Sequence, residues 1–245
     1  PPGTGRQNIP TAMAILTGGK VMNARDAILS KIRSQIAVDG EDTARRAAVA
    51  NRLANAPKGV IPGRGQLSAK QMHDLFCERA ESVESTVQRV AAYDGIPAAV
   101  SDYLRQRNLP QTIRLGSDPR LEAADWSSEP NLTRHQGPSD GTDPVGLSHA
   151  ATGVAETGTL LMTSGEDNPT TLNFLPESHI VVIAASDIEG DYETALGRIR
   201  SEHGKGRMPR TVNMITGPSR SGDIEQKILL GAHGPRSLHI IVVDD

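Results

Sequence analysis

The chain has 245 residues, 37% hydrophobic and 22% charged, with a formal net charge of −3. That length suits one large domain, or a domain with an appendage, that buries a core without a disulfide or metal staple. Aromatic residues make up only 2%, which forces an aliphatic core and argues against a base-stacking nucleic-acid surface.

The single cysteine, Cys77, excludes a disulfide framework, a four-cysteine zinc site and any iron–sulfur cluster ligated by this chain alone. It also fits a reducing compartment. Charge is uneven: residues 93–245 carry 13 basic and 21 acidic side chains, unlike the clustered Lys and Arg of a phosphate-backbone binder. No run of about 18 apolar residues is present to span a membrane. A soluble, cytoplasmic protein is expected.

Residues 1–21 (PPGTGRQNIPTAMAILTGGKV) show no helical or strand period, and Met22-Asn-Ala-Arg-Asp26 looks like a natural start. Residues 1–21 are read as an upstream extension or a cloning remnant. Residues 22–84 read as a helical arm. Ile28, Leu29, Ile32 and Ile36 recur at helix spacing, an Ala/Arg-rich helix runs to Leu53, and a third helix capped near Ser68 carries Met72, Leu75, Phe76 and Arg79.

The period changes after Ser85. Thr86–Ala91 alternates as a strand, Pro97 opens a helix, and Thr112–Leu115 is a short strand. Residues 116–144 are loop-rich. Val145–Ala151 and Thr159–Met162 read as strands around a turn at 152–158, and the apolar run His179–Ala184 as a buried strand. Tyr192–Ile199 reads as a helix, with strands at Thr211–Ile215 and Leu238–Val243. Alternating strands and helices over 85–245 argue an α/β domain with a mostly parallel sheet covered on both faces.

Three stretches can carry chemistry. In Ala151–Thr159 (ATGVAETGT), glycines beside threonines leave backbone and hydroxyls open to a ligand, so Thr152, Gly153, Thr157, Gly158 and Thr159 are candidate ligand-binding residues. Glu156 is the candidate catalytic residue, as general base, nucleophile or hydroxyl acceptor; a tight hairpin whose acid faces water is the plainer alternative. In Ile215–Glu225 (ITGPSRSGDIE), Gly217 and Ser219 offer amides and a hydroxyl, and Arg220 a positive fork for a carboxylate or phosphate. Asp223 and Glu225 either cap the next turn or bind ligand hydroxyls. A structural loop with an internal Arg–Asp pair is the alternative. In Gly231–Arg236, His233 stands between a glycine two residues before and another directly after, as ligand contact or as hydrogen-bonding strut. The other histidines lack zinc-motif spacing, so no metal site is expected. The two Gly-rich loops are expected to share one cleft, giving Glu156 and Arg220 a common ligand.

Taken together, ATGVAETGT at Ala151–Thr159, ITGPSRSGDIE at Ile215–Glu225 and LGAHGP at Leu230–Pro235, followed by Leu238–Asp244, resemble the LUD domain of the lactate utilisation protein C family. The resemblance extends over roughly residues 22–245. It implies a three-layer α/β/α fold similar to sugar-phosphate isomerases and CoA transferases. It also implies a non-redox subunit that works with iron–sulfur partner proteins in oxidising L-lactate to pyruvate, with a small carboxylate as ligand. No cofactor is expected in this chain, and the clusters are expected in the partners. The alternatives are a stand-alone CoA-transferase- or isomerase-like enzyme using Glu156, and a metabolite-sensing binding module.

Overall fold

The computed structural model describes residues 23–36, 41–55, 57–224 and 227–244, with side chains for all of these except 222–224 and 227–230. The extension expected over 1–21, Glu225 and the Asp223 side chain lie outside the described residues.

The chain divides after Pro57 into two compact units. The first contains helices α1 (Ala24–Ile36) and α2 (Thr43–Asn55). Each starts where an Asx side chain takes up a first-turn amide: Asn23 Oδ1 accepts from Asp26 N at 2.9 Å, and Asp42 Oδ1 from Arg45 N at 3.0 Å.

The second unit begins at Lys58, where the sequence placed the boundary at 84/85. Its first helix, α3 (Ala69–Ser82), starts at Ser68, whose hydroxyl and amide both donate to Gln71 Oε1. Phe76 and Ala80 lie four apart on one face of α3, and both are fully buried among residues of the sheets. That burial is why α3 belongs to the α/β unit and not to an arm.

There follow β1 (Thr86–Val90), α4 (Ile96–Gln106), β2 (Thr112–Leu115), the single turn α5 (Pro119–Glu122), β3 (Thr133–Gln136) and β4 (Val145–His149). Next come β5 (Thr152–Val154), β6 (Thr159–Thr163), β7 (Ser178–Ala184), β8 (Ile188–Glu189) and α6 (Tyr192–His203). The chain closes with β9 (Val212–Ile215), the hairpin β10 (Arg220–Ile224) and β11 (Lys227–Leu230), and β12 (Ser237–Val243).

Six strands form a central sheet in the order β1-β12-β7-β4-β2-β3, and every pairing in it is parallel. β7 and β12 sit in its middle, so their runs are apolar without alternation. Period 2 sends Ile180, Val182, Ile241 and Val243 to the α4 face, and Val181, Ile183, Ile240 and Val242 to the α3 face. The α/β fold read from the sequence is therefore present, with one addition. Beside α3 the second face is covered by a four-stranded sheet, β8-β5-β6-β9, whose Val154 and Leu161 pack in turn on Ala195 and Ile199 of α6.

Two segments differ from expectation. Thr152–Val154, read as part of a turn, is a strand paired with β6 and β8. Residues 220–224, read as loop, form one arm of the β10–β11 hairpin.

Candidate functional site

The first motif packs inward. Thr152 Oγ1 donates to the Asp187 carbonyl at 2.7 Å. A Cβ on Gly153 would lie 2.8 Å from Ile183 Cδ1 and 3.0 Å from the Phe76 ring. Gly158 has φ +66, and a Cβ there would meet Ala80 N of α3 at 2.4 Å, so turn geometry and close approach both require glycine. Thr157, Thr159, Tyr192 and Thr216 share one chain of hydroxyl contacts at 2.7–3.2 Å. The Glu156 side chain is 4% exposed and accepts from Arg64 Nε at 3.0 Å. A nucleophilic role needs an open carboxylate oxygen; this one is covered and ion-paired.

The second motif meets the same helix end. Gly217 has φ +76, and a Cβ there would lie 2.4 Å from the Val83 carbonyl. Arg220 Nη2 donates to that carbonyl at 2.7 Å and lies 3.3 Å from Glu84 Oε2. The two motifs touch through Thr159 Oγ1 and Thr216 Oγ1, 2.7 Å apart. What they share is the carboxyl end of α3. A cavity of about 200 Å³ does gather Gly217, Ser219 and His233 with Thr216, Pro235 and Leu238, but neither Glu156 nor Arg220 lines it. It opens at the amino edge of the central sheet, where β7 and β12 begin.

A second constellation, at the carboxyl edge, was not singled out from the sequence. In open parallel sheets ligands bind at this edge. Tyr93, just after β1, gives its hydroxyl to His149 Nε2 at 2.8 Å. His149 ends β4 and is 3% exposed. Its Nδ1 lies 2.8 Å from the Ala150 carbonyl, which can only accept. Nδ1 therefore carries the ring proton, and Nε2 is the acceptor for Tyr93. Burial, and then the nearby Arg120 charge, push His149 down to about 4.

Arg120, on α5, holds both oxygens of buried Asp118 at 2.9 and 3.2 Å. It also reaches Asp187, which follows β7, at 3.4 Å. Arg198 of α6 pairs with the other Asp187 oxygen. Burial pushes the Asp118 carboxyl up, but its hydrogen bonds to Arg120 and the Arg120 charge outweigh it and hold it below the usual range. Tyr93 and Arg120 line a cavity of about 350 Å³ with Asp94. A guanidinium clamped by aspartates beside a tyrosine backed by a neutral histidine can bind a carboxylate and move a proton.

These residues come from four separate strand ends and form no local motif, so spacing gave no signal for them. Among the described residues no group of three or more His, Cys, Asp or Glu is placed to hold a metal ion. No helix among them is long and apolar enough to cross a membrane.

Residues 64–243 match the LUD domain family. The chain is 31% identical over 180 residues to lactate utilization protein C of Geobacillus thermodenitrificans (strain NG80-2), covering 72% of this chain and 75% of that one. It is 39% identical over 102 residues to lactate utilization protein C of Geobacillus sp. (strain WCH70), where the match spans 41% of this chain and 42% of the relative. Its fold is similar to that of a DUF162 family protein from Deinococcus radiodurans, with a TM-score of 0.56 and 21% identity, over 73% of this chain and 99% of that one. The matched span holds the parallel sheet, both Gly-rich motifs and the carboxyl-edge constellation, and by it the chain belongs to the LUD domain family.

Proposed function

We propose that this chain is a cytoplasmic, carboxylate-binding component of a lactate-utilisation system that oxidises L-lactate to pyruvate together with iron–sulfur partner proteins. The names of its relatives support the system. The observation that carries the chemistry is the carboxyl-edge cavity, where Arg120 and the Tyr93–His149 pair stand together. Oxidation of lactate removes two electrons and two protons. Arg120 is the cation at the cavity: Nε, Nη1 and Nη2 each give one N–H to an aspartate, which leaves one N–H on each Nη for the substrate carboxylate. The Tyr93 oxygen takes the α-hydroxyl proton as its own proton passes to His149 Nε2. The C2 hydrogen leaves with the electron pair to a two-electron hydride acceptor supplied by the partner proteins, from which electrons pass singly to their clusters. One cysteine cannot ligate a cluster, and burial pushes the Cys77 thiol up, away from the thiolate that metal ligation needs.

The test mixes the purified chain with the iron–sulfur proteins and follows lactate-dependent cluster reduction. Turnover is expected only in the mixture, and Tyr93→Phe is expected to lower kcat by about 100-fold, the usual scale for losing a positioned proton acceptor. Turnover by the chain alone would instead indicate a stand-alone enzyme. Lactate binding without turnover or complex formation would indicate a metabolite sensor.

A further inference from the structure

The amino-edge cavity has a property that its loops do not explain. Asn173, 2% exposed, lines it, and neither its Nδ2 nor its Oδ1 has a hydrogen-bond partner. His179, 1% exposed at the start of β7, lines it as well. Its Nε2 meets Ser148 Oγ at 3.1 Å, while its Nδ1 has no partner. Buried polar groups are almost always paired, and leaving one unpaired is costly. Here an unpaired donor, an unpaired acceptor and an unpaired ring nitrogen lie together against one cavity.

The rest of the lining sets Phe174, Ile215 and Leu238 beside the polar side chains of Thr216, Ser219 and His233, and it contains no Lys, Arg, Asp or Glu. The volume, about 200 Å³, lies below the range of drug-sized pockets and suits a fragment of one ring. Phe174 and Met214 at the cavity are 44% and 51% exposed.

We propose that this cavity binds a small neutral ring compound bearing a primary carboxamide or cyclic imide edge, whose adjacent donor and acceptor pair with the Asn173 carboxamide while the ring lies among Phe174, Ile215 and Leu238. A carboxylate is disfavoured because it brings no donor for the Asn173 carbonyl and finds no Lys or Arg in the lining to offset its charge. The site is separate from the carboxyl-edge constellation, at the opposite ends of the same strands.

Benzamide, benzoate and toluene are the probes, and methyl NMR shifts of Met214, Ile215 and Leu238 in the full chain are the readout. Benzamide is expected to bind at least tenfold more tightly than benzoate. Asn173→Leu is expected to weaken benzamide at least tenfold, to leave toluene binding in place, and to melt no lower than wild type. Met214→Trp, a change at an exposed position, fills the mouth and is expected to block both neutral probes. No benzamide binding by wild type, equal binding of benzoate, indifference of benzamide to either substitution, or a lowered melting temperature in Asn173→Leu would each overturn the proposal.

Discussion

At the scale of single residues, Arg220 separates a ligand role from a structural one. Its guanidinium donates to the Val83 carbonyl and approaches Glu84, at the end of α3. A hydrogen bond made by a charged group contributes roughly 1.5–3 kcal/mol when well shielded, and less at a site that is 36% exposed. Arg220→Ala is expected to lower stability by about 1 kcal/mol, read by urea unfolding, and Arg220→Lys by less. Lactate turnover in the reconstituted mixture is expected to hold in both. Lost turnover at unchanged stability would restore the ligand role read from the loop. Glu156 teaches the same lesson. Its place beside threonines and glycines was legible, but its burial against Arg64, ninety-two residues earlier, was not.

At the scale of elements, α3 organises both sequence motifs. Phe76 covers Gly153, Ala80 abuts Gly158, and Val83 abuts Gly217. These motif glycines answer to the close approach of a helix, a packing reason for glycine that a loop read without its neighbours does not reveal. Phe76→Ala should remove a fully buried ring from this junction and cost about 3–5 kcal/mol. A loss below about 1 kcal/mol by denaturant titration would show that α3 is peripheral, as an arm would be. Longer elements were legible because their period repeats. β5 was missed because three residues carry no period and gain their partners from β6 and β8. β10 was missed because Gly and Ser are poor strand formers outside a hairpin.

At the scale of the whole molecule, the central sheet holds three neutral histidines. His149 lies in β4, His179 in β7 and His239 in β12. Burial pushes them down to about 4, about 3 and about 4, aided by Arg120 at His149 and by Arg107 at His239. An unfolded chain binds these protons near the ordinary histidine value of 6.5, whereas the fold refuses them until far lower pH. Stability is therefore full above about pH 6.5 and falls as pH drops towards 4. By linkage the loss at pH 5 is about 2 kcal/mol for each histidine. Urea midpoints at pH 7.5 and pH 5 measure it, and equal midpoints would show that the histidines titrate normally in the fold.

The sequence by itself determined the aliphatic core, the alternation of strands and helices, the family and the absence of a cluster-ligating cysteine set, because these follow from composition, local period and contiguous motifs. It also located Gly217, Ser219 and His233, which line one cavity. Tertiary structure alone decided where α3 belongs, what the motif glycines touch, and that Tyr93, Asp118, Arg120, His149 and Asp187 meet. Those five residues span 95 positions of chain and converge only because parallel strands end at one edge. Parallel pairing requires long crossovers between neighbours, so it brings together residues that no short window of sequence contains.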